Sequence, residues 1–121
     1  MTRYEEVKQQ LIALMEDERI YLQPDLTLPD LAGKLDCTVN HLSQAINAGF
    51  DMSFFDFLNS YRIEEAKSLL GNNSPNMQAV LDISFSVGFN SNSSFYAAFK
   101  KATDQTPAQY RRAVLKKSSR S

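Results

Sequence analysis

The stretch Ile83-Ser84-Phe85-Ser86-Val87-Gly88-Phe89-Asn90-Ser91-Asn92-Ser93-Ser94-Phe95-Tyr96-Ala97-Ala98-Phe99-Lys100-Lys101 holds two helices and the turn between them. Val80, Leu81, Ile83 and Val87 recur at helical spacing and predict the inward side of a short helix over about 76–87. Gly88-Phe89-Asn90-Ser91 interrupts the pattern as a turn, and Ser91 is placed to cap a second helix. Phe95, Ala98 and Phe99 share one face of that second helix.

The same plan occurs roughly 52–53 residues earlier. Leu31 falls on Ile83, Leu35 on Val87, Leu42 on Phe95, Ile46 on Phe99 and Phe57 on Tyr110, with one extra residue in the second turn. A short helix meeting a longer one over a small turn is the helix-turn-helix motif. The alternative is a generic helical bundle, in which helix pairs align only loosely. Matching apolar positions in both arms of both units favour the repeat.

The rest of the chain reads as helix too. Residues 2–22 place Tyr4, Val7, Leu11, Leu14, Met15, Tyr21 and Leu22 at helical spacing, with acids and amides opposite, and Gln23-Pro24-Asp25 ends that lead helix. Thr27-Leu28-Pro29-Asp30 starts a short helix with Leu28, Leu31, Ala32 and Leu35 on one face. Asp36-Cys37-Thr38 interrupts it. Thr38 caps a helix with Val39, Leu42, Ala45 and Ile46 inward, closed by Gly49. Ser53-Phe54-Phe55-Asp56 opens a long helix striped by Phe54, Phe57, Leu58, Tyr61, Ala66, Leu69 and Leu70, broken at Gly71-Asn72-Asn73-Ser74-Pro75. Thr106-Pro107-Ala108-Gln109 is a capping box with Pro at the first helical position. The expected fold is all-α, with about seven helices and no strands. Its parts are a lead helix (1–24), a first helix-turn-helix (25–52), a linker helix (53–73), a second helix-turn-helix with its C-terminal helix (74–112), and a disordered basic tail (113–121).

At 121 residues the chain has the length of one domain. Its 43% apolar and 22% charged residues are those of a globular protein, and 4 Gly with 4 Pro disfavour a turn-rich sandwich. One Cys rules out an intramolecular disulfide and a multi-Cys zinc site, and fits a reducing compartment. No apolar run approaches a membrane span or a signal-peptide core. The net charge of -1 argues against a polyanionic partner, but it is an average. Residues 1–60 hold four bases against ten acids, a net of −6, and residues 61–121 hold nine against four, a net of +5. Arg111, Arg112, Lys116, Lys117 and Arg120 end the chain with no acid among them.

Three stretches carry a family resemblance. Arg62-Ile63-Glu64-Glu65-Ala66-Lys67-Ser68-Leu69-Leu70 resembles the linker helix of the AraC/XylS family DNA-binding domain. Ile83 to Lys101 resembles that family's second helix-turn-helix signature, and Gln105-Thr106-Pro107-Ala108-Gln109-Tyr110-Arg111 its C-terminal end. The resemblance runs from about Asp25 to Arg112. Two positions depart from the pattern: Ser84 stands where Ala is usual, and Asp104 where Gly is usual. A buried Ser84 hydroxyl must find a partner, and Asp104 in a left-handed cap costs more than Gly.

The resemblance implies a bacterial transcriptional regulator that inserts two recognition helices into successive major grooves of promoter DNA. Asn40, Ser43, Gln44 and Asn47 would read bases from the first, and Asn92, Ser93 and Tyr96 from the second, with Ala97 able only to touch a thymine methyl. The alternative for each of these polar residues is a solvated helix face, a stronger alternative for Asn47 and Ser93 than for Asn40, Gln44 and Asn92. Gln44 and Ala97 stand where family members often have Arg, which implies half-sites containing A/T rather than strong guanine contacts. Phosphates would meet Lys100, Lys101, Arg111 and Arg112, and the capped helix starts at Ser53 and Thr106. Lys101 is as readily a solvated exterior. Arg62 is expected in a structural ion pair, with Asp82 as candidate, and Gly88, Phe89, Phe95, Phe99, Pro107 and Tyr110 are expected to be structural. His41 could touch a phosphate, pack or lie exposed. Cys37 is most simply a small buried hydrophobe.

No catalytic constellation stands out. Cys37 and His41 are four apart but lack two further ligands, no Gly-rich phosphate loop is present, and no cofactor, metal or small-molecule pocket is expected. The rival class is a helical protein-interaction module without DNA binding. The lead helix, with Glu5, Glu6, Glu16, Asp17 and Glu18, could dock a partner or simply be solvated. The stretch from Tyr21 to Leu28 resembles the lead-in of members with membrane-embedded sensors. That implies the C-terminal part of a longer, membrane-anchored regulator, acting in the cytoplasm at the nucleoid, whose N-terminal sensor or dimerisation domain is missing here and for which RNA polymerase is a candidate partner.

Overall fold

The structure is a computed structural model that describes residues 2–72 and 78–119. Among them are seven α-helices, one 3-10 turn and no strand. The helices are α1 (Arg3–Glu16), α2 (Leu28–Lys34), α3 (Val39–Phe50), α4 (Phe54–Leu70), α5 (Val80–Ser86), α6 (Asn92–Thr103) and α7 (Pro107–Ser119). The chain forms two compact units, Met1–Tyr61 and Arg62–Ser121. The division falls inside α4, so the expected linker helix contributes its first half to one unit and its second half to the other.

In the first unit α1 starts on a capping box, with Thr2 and Glu5 each accepting the other's backbone N–H. Its buried stripe is Val7, Leu11 and Met15. The lead helix expected over 2–22 stops at Glu16. No basic side chain in its last turn offsets the helix dipole, and Arg19 turns left-handed (φ 54°) before a 3-10 turn at Ile20–Leu22. Ile20 and Tyr21 still reach the core. α2 starts on the Thr27–Asp30 capping box with Pro29 in its first turn, and α3 on Thr38. Leu31, Leu35, Leu42, Ile46 and Phe57 close the core. Gly49 does not close α3. The helix runs on to Phe50, and Asp51 takes the left-handed cap (φ 55°).

The second unit repeats the pattern with larger side chains. Ile83 and Val87 from the α5 region, Phe95 and Phe99 from α6, and Leu70 from α4 are each 0% exposed. The Phe95 ring packs against Phe89 and Phe99 with centroids 5.3 and 5.7 Å apart. The short helix expected over 76–87 is described from Val80; its start at 76–77 lies outside the described residues. Ser84 is 0% exposed, and its hydroxyl is satisfied by donating to the Leu81 carbonyl at 2.6 Å. Of the tail expected over 113–121, residues 113–119 continue α7, with Val114 and Leu115 half-buried and Val114 packed close to Gly71; 120–121 lie outside the described residues. Three residues expected inward are largely exposed, Tyr4 (41%), Val39 (41%) and Leu81 (49%). Each lies in the first turn of its helix, where the core-facing arc is not yet closed by neighbours.

Candidate nucleic-acid interface

The two helix-turn-helix units agree in detail. α2 and α5 have seven residues each, α3 and α6 twelve each. Leu35 and Val87 end the first helices with almost the same backbone angles, φ −94° and ψ 1° against φ −95° and ψ 3°. The next residue is left-handed in both, Asp36 at φ 53° and Gly88 at φ 105°. The residue after that donates its N–H back into the short helix, Cys37 to Ala32 O and Phe89 to Ser84 O. Thr38 and Ser91 then cap the long helices by accepting from His41 N and Ser94 N. Asp51 and Asp104 close them in the left-handed region.

Each long helix has a dry face and a wet face. On α3, Leu42, Ala45 and Ile46 are buried, Asn40, Gln44 and Asn47 are exposed, and Ser43 is half-buried. On α6, Phe95 and Phe99 are buried, Asn92, Ser93 and Ala97 are exposed, and Tyr96 is half-buried with its ring edge-on to Phe95. The polar residues singled out from sequence thus share the open face of their own helix in each unit.

α1 braces the first unit. Arg3 Nη2 donates to the carbonyls of Asp36 and Leu35 at 3.0 and 3.4 Å, holding the turn. Lys8 lies over the Phe50 ring, 5.2 Å from its centroid. Tyr4 stacks on His41 with centroids 4.8 Å apart and planes 4° apart, and its hydroxyl donates to Gln44 Oε1 at 2.9 Å. His41, open from sequence to phosphate contact, packing or exposure, is half-buried under that ring, its Nε2 buried without a hydrogen-bond partner. Sequence reading missed the Tyr4–Gln44 contact. The spacing of Tyr4 suggested core, and a bond across 40 residues leaves no local signal.

A family model described as a helix-turn-helix domain matches residues 31–113. The chain belongs to this family, in its AraC-type form. The AraC-type domain is similar to a helix-turn-helix-type transcriptional regulator of Staphylococcus aureus (strain COL), 36% identical over 92 residues, which are 76% of this chain and 12% of that protein. The chain therefore spans about an eighth of that relative's length. It is also similar to two solved structures. One is the C-terminal domain of AraT, a response regulator from Geobacillus stearothermophilus, with TM-score 0.75 and 31% identity over 93% of this chain and 88% of that one. The other is the C-terminal domain of the two-component response regulator yesN from Fusobacterium nucleatum, with TM-score 0.72 and 33% identity over 91% of this chain and 99% of that one.

Within the AraC-type domain the basic residues divide by role. Arg111 is half-buried and its Nε donates to the Leu70 carbonyl at 3.2 Å, capping the end of α4, while its Nη2 is buried without a partner. Lys100 is exposed and caps α6 through the Asp104 carbonyl at 3.1 Å. Lys101 and Arg112 are exposed. Ser53 accepts from Asp56 N, and Thr106 with Gln109 forms the expected reciprocal capping box. Pro107 is buried, and Tyr110 packs edge-on to Phe99 at 5.4 Å. Arg62 is buried, with its guanidinium 5.7 Å from the centroid of Phe89, and burial lowers its pKa from the ordinary guanidinium value. Asp82, the ion-pair candidate, is exposed in the first turn of α5.

Two further features bear on ligands. An open cleft of about 480 Å³ lies between α1 and α2, with Arg3, Gln10, Glu18, Lys34 and Asp36 on its walls. The cleft is open, and Ala13, Leu14 and Leu35 share its walls with these polar groups. Among the described residues, no helix is long and apolar enough to cross a membrane.

Proposed function

We propose that this domain binds double-stranded promoter DNA with sequence specificity, laying α3 and α6 in major grooves one turn of B-DNA apart, about 34–36 Å. The observation that carries the reading is the duplicated unit, in which two capped twelve-residue helices each present short amides and hydroxyls outward from an apolar inner face. Asn40, Ser43, Gln44 and Asn47 read the first half-site, and Asn92, Ser93 and Tyr96 the second. Amides pair with adenine N6 and N7, so A/T-containing half-sites are expected. Lys100, Lys101 and Arg112 meet phosphates, joined by the free N–H groups at the helix starts capped by Ser53 and Thr106. Arg111 serves the end of α4 first.

The domain performs no catalysis in this reading. It acts in the cytoplasm at the nucleoid, as the DNA-binding part of a longer regulator whose other domain senses or dimerises, and RNA polymerase is a candidate partner at the promoter. The similarity to C-terminal domains of response regulators supports that placement. Duplex affinity measured against salt tests the core of it. Four to six basic contacts predict a log–log slope of about −4 to −5. No duplex binding at low salt would leave the helical protein-interaction module as the better reading.

A further inference from the structure

We propose that Tyr4, on the lead helix, is a positioning residue for base reading by Gln44; this rests on the reading that Gln44 faces a base. A glutamine side chain on an open helix face has three rotatable torsions before its amide. Free in water, it presents donor and acceptor in either order. In this structure that freedom is removed from one side. The Tyr4 hydroxyl donates to Gln44 Oε1 at 2.9 Å, which holds the oxygen end of the amide toward α1. A carbonyl oxygen has two lone pairs, so one remains for a donor such as adenine N6, and the Nε2 hydrogens remain for an acceptor such as adenine N7. With its amide held this way round, Gln44 offers the pair of groups that adenine needs.

The hydrogen bond is exposed, so by itself it would be weak. Its support comes from the ring. Tyr4 stacks almost flat on His41, one turn before Gln44 on the same helix, with centroids 4.8 Å apart. A tyrosine has only two torsions to fix, and the stack together with α1 fixes them. α1 is itself pinned to the first unit by Arg3 on the carbonyls of Leu35 and Asp36 and by Lys8 over Phe50. One side chain of α1 therefore carries the rigidity of the unit's core to an outward-facing amide. The second unit is braced differently: α7 comes after α5 and α6 and meets α6 on its inner side, through Tyr110 and Phe99.

The test is selection from random duplexes with the full chain as wild type, Tyr4→Phe, Gln44→Ala and the double variant, alongside thermal melts. Tyr4→Phe keeps the ring on His41 and removes only the donor. Gln44→Ala is expected to lower discrimination at one base pair of one half-site by about tenfold. Tyr4→Phe is expected to lower it at the same base pair by roughly threefold to tenfold, the factor one net hydrogen bond commands, with an unchanged melting temperature. In the Gln44→Ala background Tyr4→Phe should then change nothing. A Tyr4→Phe chain with the wild-type preference at the pair that Gln44→Ala disturbs would overturn the proposal. So would a Tyr4→Phe chain that melts early and weakens every base pair alike, which is the signature of a merely structural residue. If Gln44→Ala leaves every preference intact in a chain that still binds duplex, the proposal fails while DNA binding stands. Failure of the wild-type chain to bind any duplex instead removes the functional reading itself.

Discussion

The two units are built on one plan and charged in opposite senses. The first carries a net −6 and the second +5. At physiological ionic strength the Debye length is about 8 Å, so a phosphate responds to nearby charges more than to the molecular total. The second unit is therefore suited to holding the DNA backbone. The first has few cations to offer but a braced α3, with Gln44 held by Tyr4 and the turn held by Arg3. If the proposed contacts hold, attraction is weighted to the second copy and discrimination leans on the first.

The largest expected contrast is in the cores. Phe95→Ala removes a ring in contact with Phe89, Tyr96 and Phe99 and should cost about 3–5 kcal/mol. Leu42→Ala, at the corresponding place in the first unit, should cost about 2–4 kcal/mol. Urea denaturation followed by circular dichroism measures both. A Leu42 variant that loses more than the Phe95 variant would contradict the view that the larger ring carries the larger share of its core.

Next in size is the contrast between reading and holding. Gln44→Ala should cost about 1–3 kcal/mol on the preferred duplex and leave the salt slope unchanged. Replacing Lys101 and Arg112 together by Ala should weaken all duplexes about equally and make the salt slope shallower by about 2. Titrations at several salt concentrations separate the two, and the division of work fails if both variants change the slope alike.

The turns provide a smaller contrast. At one structural position the first unit has Asp36 and the second Gly88, both left-handed. Gly88→Ala is expected to destabilise by about 1–2 kcal/mol, because φ 105° lies outside what an L side chain readily adopts. Asp36→Gly and Asp104→Gly should each stabilise by about 0.5–1 kcal/mol. Thermal melts suffice, and a stabilised Gly88→Ala chain would show the two turns to be less alike than their angles indicate.

The smallest effect is at alkaline pH and belongs to the first unit. Burial first, then the nearby Glu16 carboxylate, raises the Tyr61 pKa above its usual 10.0, and its hydroxyl donates to Glu16 Oε2 at 3.3 Å. A raised folded pKa means the contribution is complete below about pH 10 and is lost as pH climbs through the folded value. Stability of the wild type measured from pH 8 to 11 should therefore fall more steeply than that of Tyr61→Phe. Parallel curves would remove this role.

Much of the fold was legible because its signals are local. Thr27, Thr38, Ser53, Ser91 and Thr106 all cap helices, and the apolar matches between the two halves survive as buried positions apart from the half-buried Tyr110. The end of the lead helix was not legible, since the left-handed Arg19 has no Gly or Asn to announce it. The reach of the C-terminal helix past residue 112 was hidden by its charge: Arg111, Arg112, Lys116 and Lys117 suggested a solvated tail, while the anchors Val114 and Leu115 between them are few. At the site, which face of α3 and α6 is open could be read from periodicity. The bond from Tyr4 to Gln44 could not, because it depends on how α1 lies across α3.

Whether two helices of this chain read DNA is decided by selection from random duplexes at moderate salt. The expected consensus has two A/T-containing half-sites with centres about 10–10.5 base pairs apart. The first should depend on Gln44 and the second on Asn92. A single half-site indifferent to one of the two helices, or a G-rich consensus at both, would contradict it.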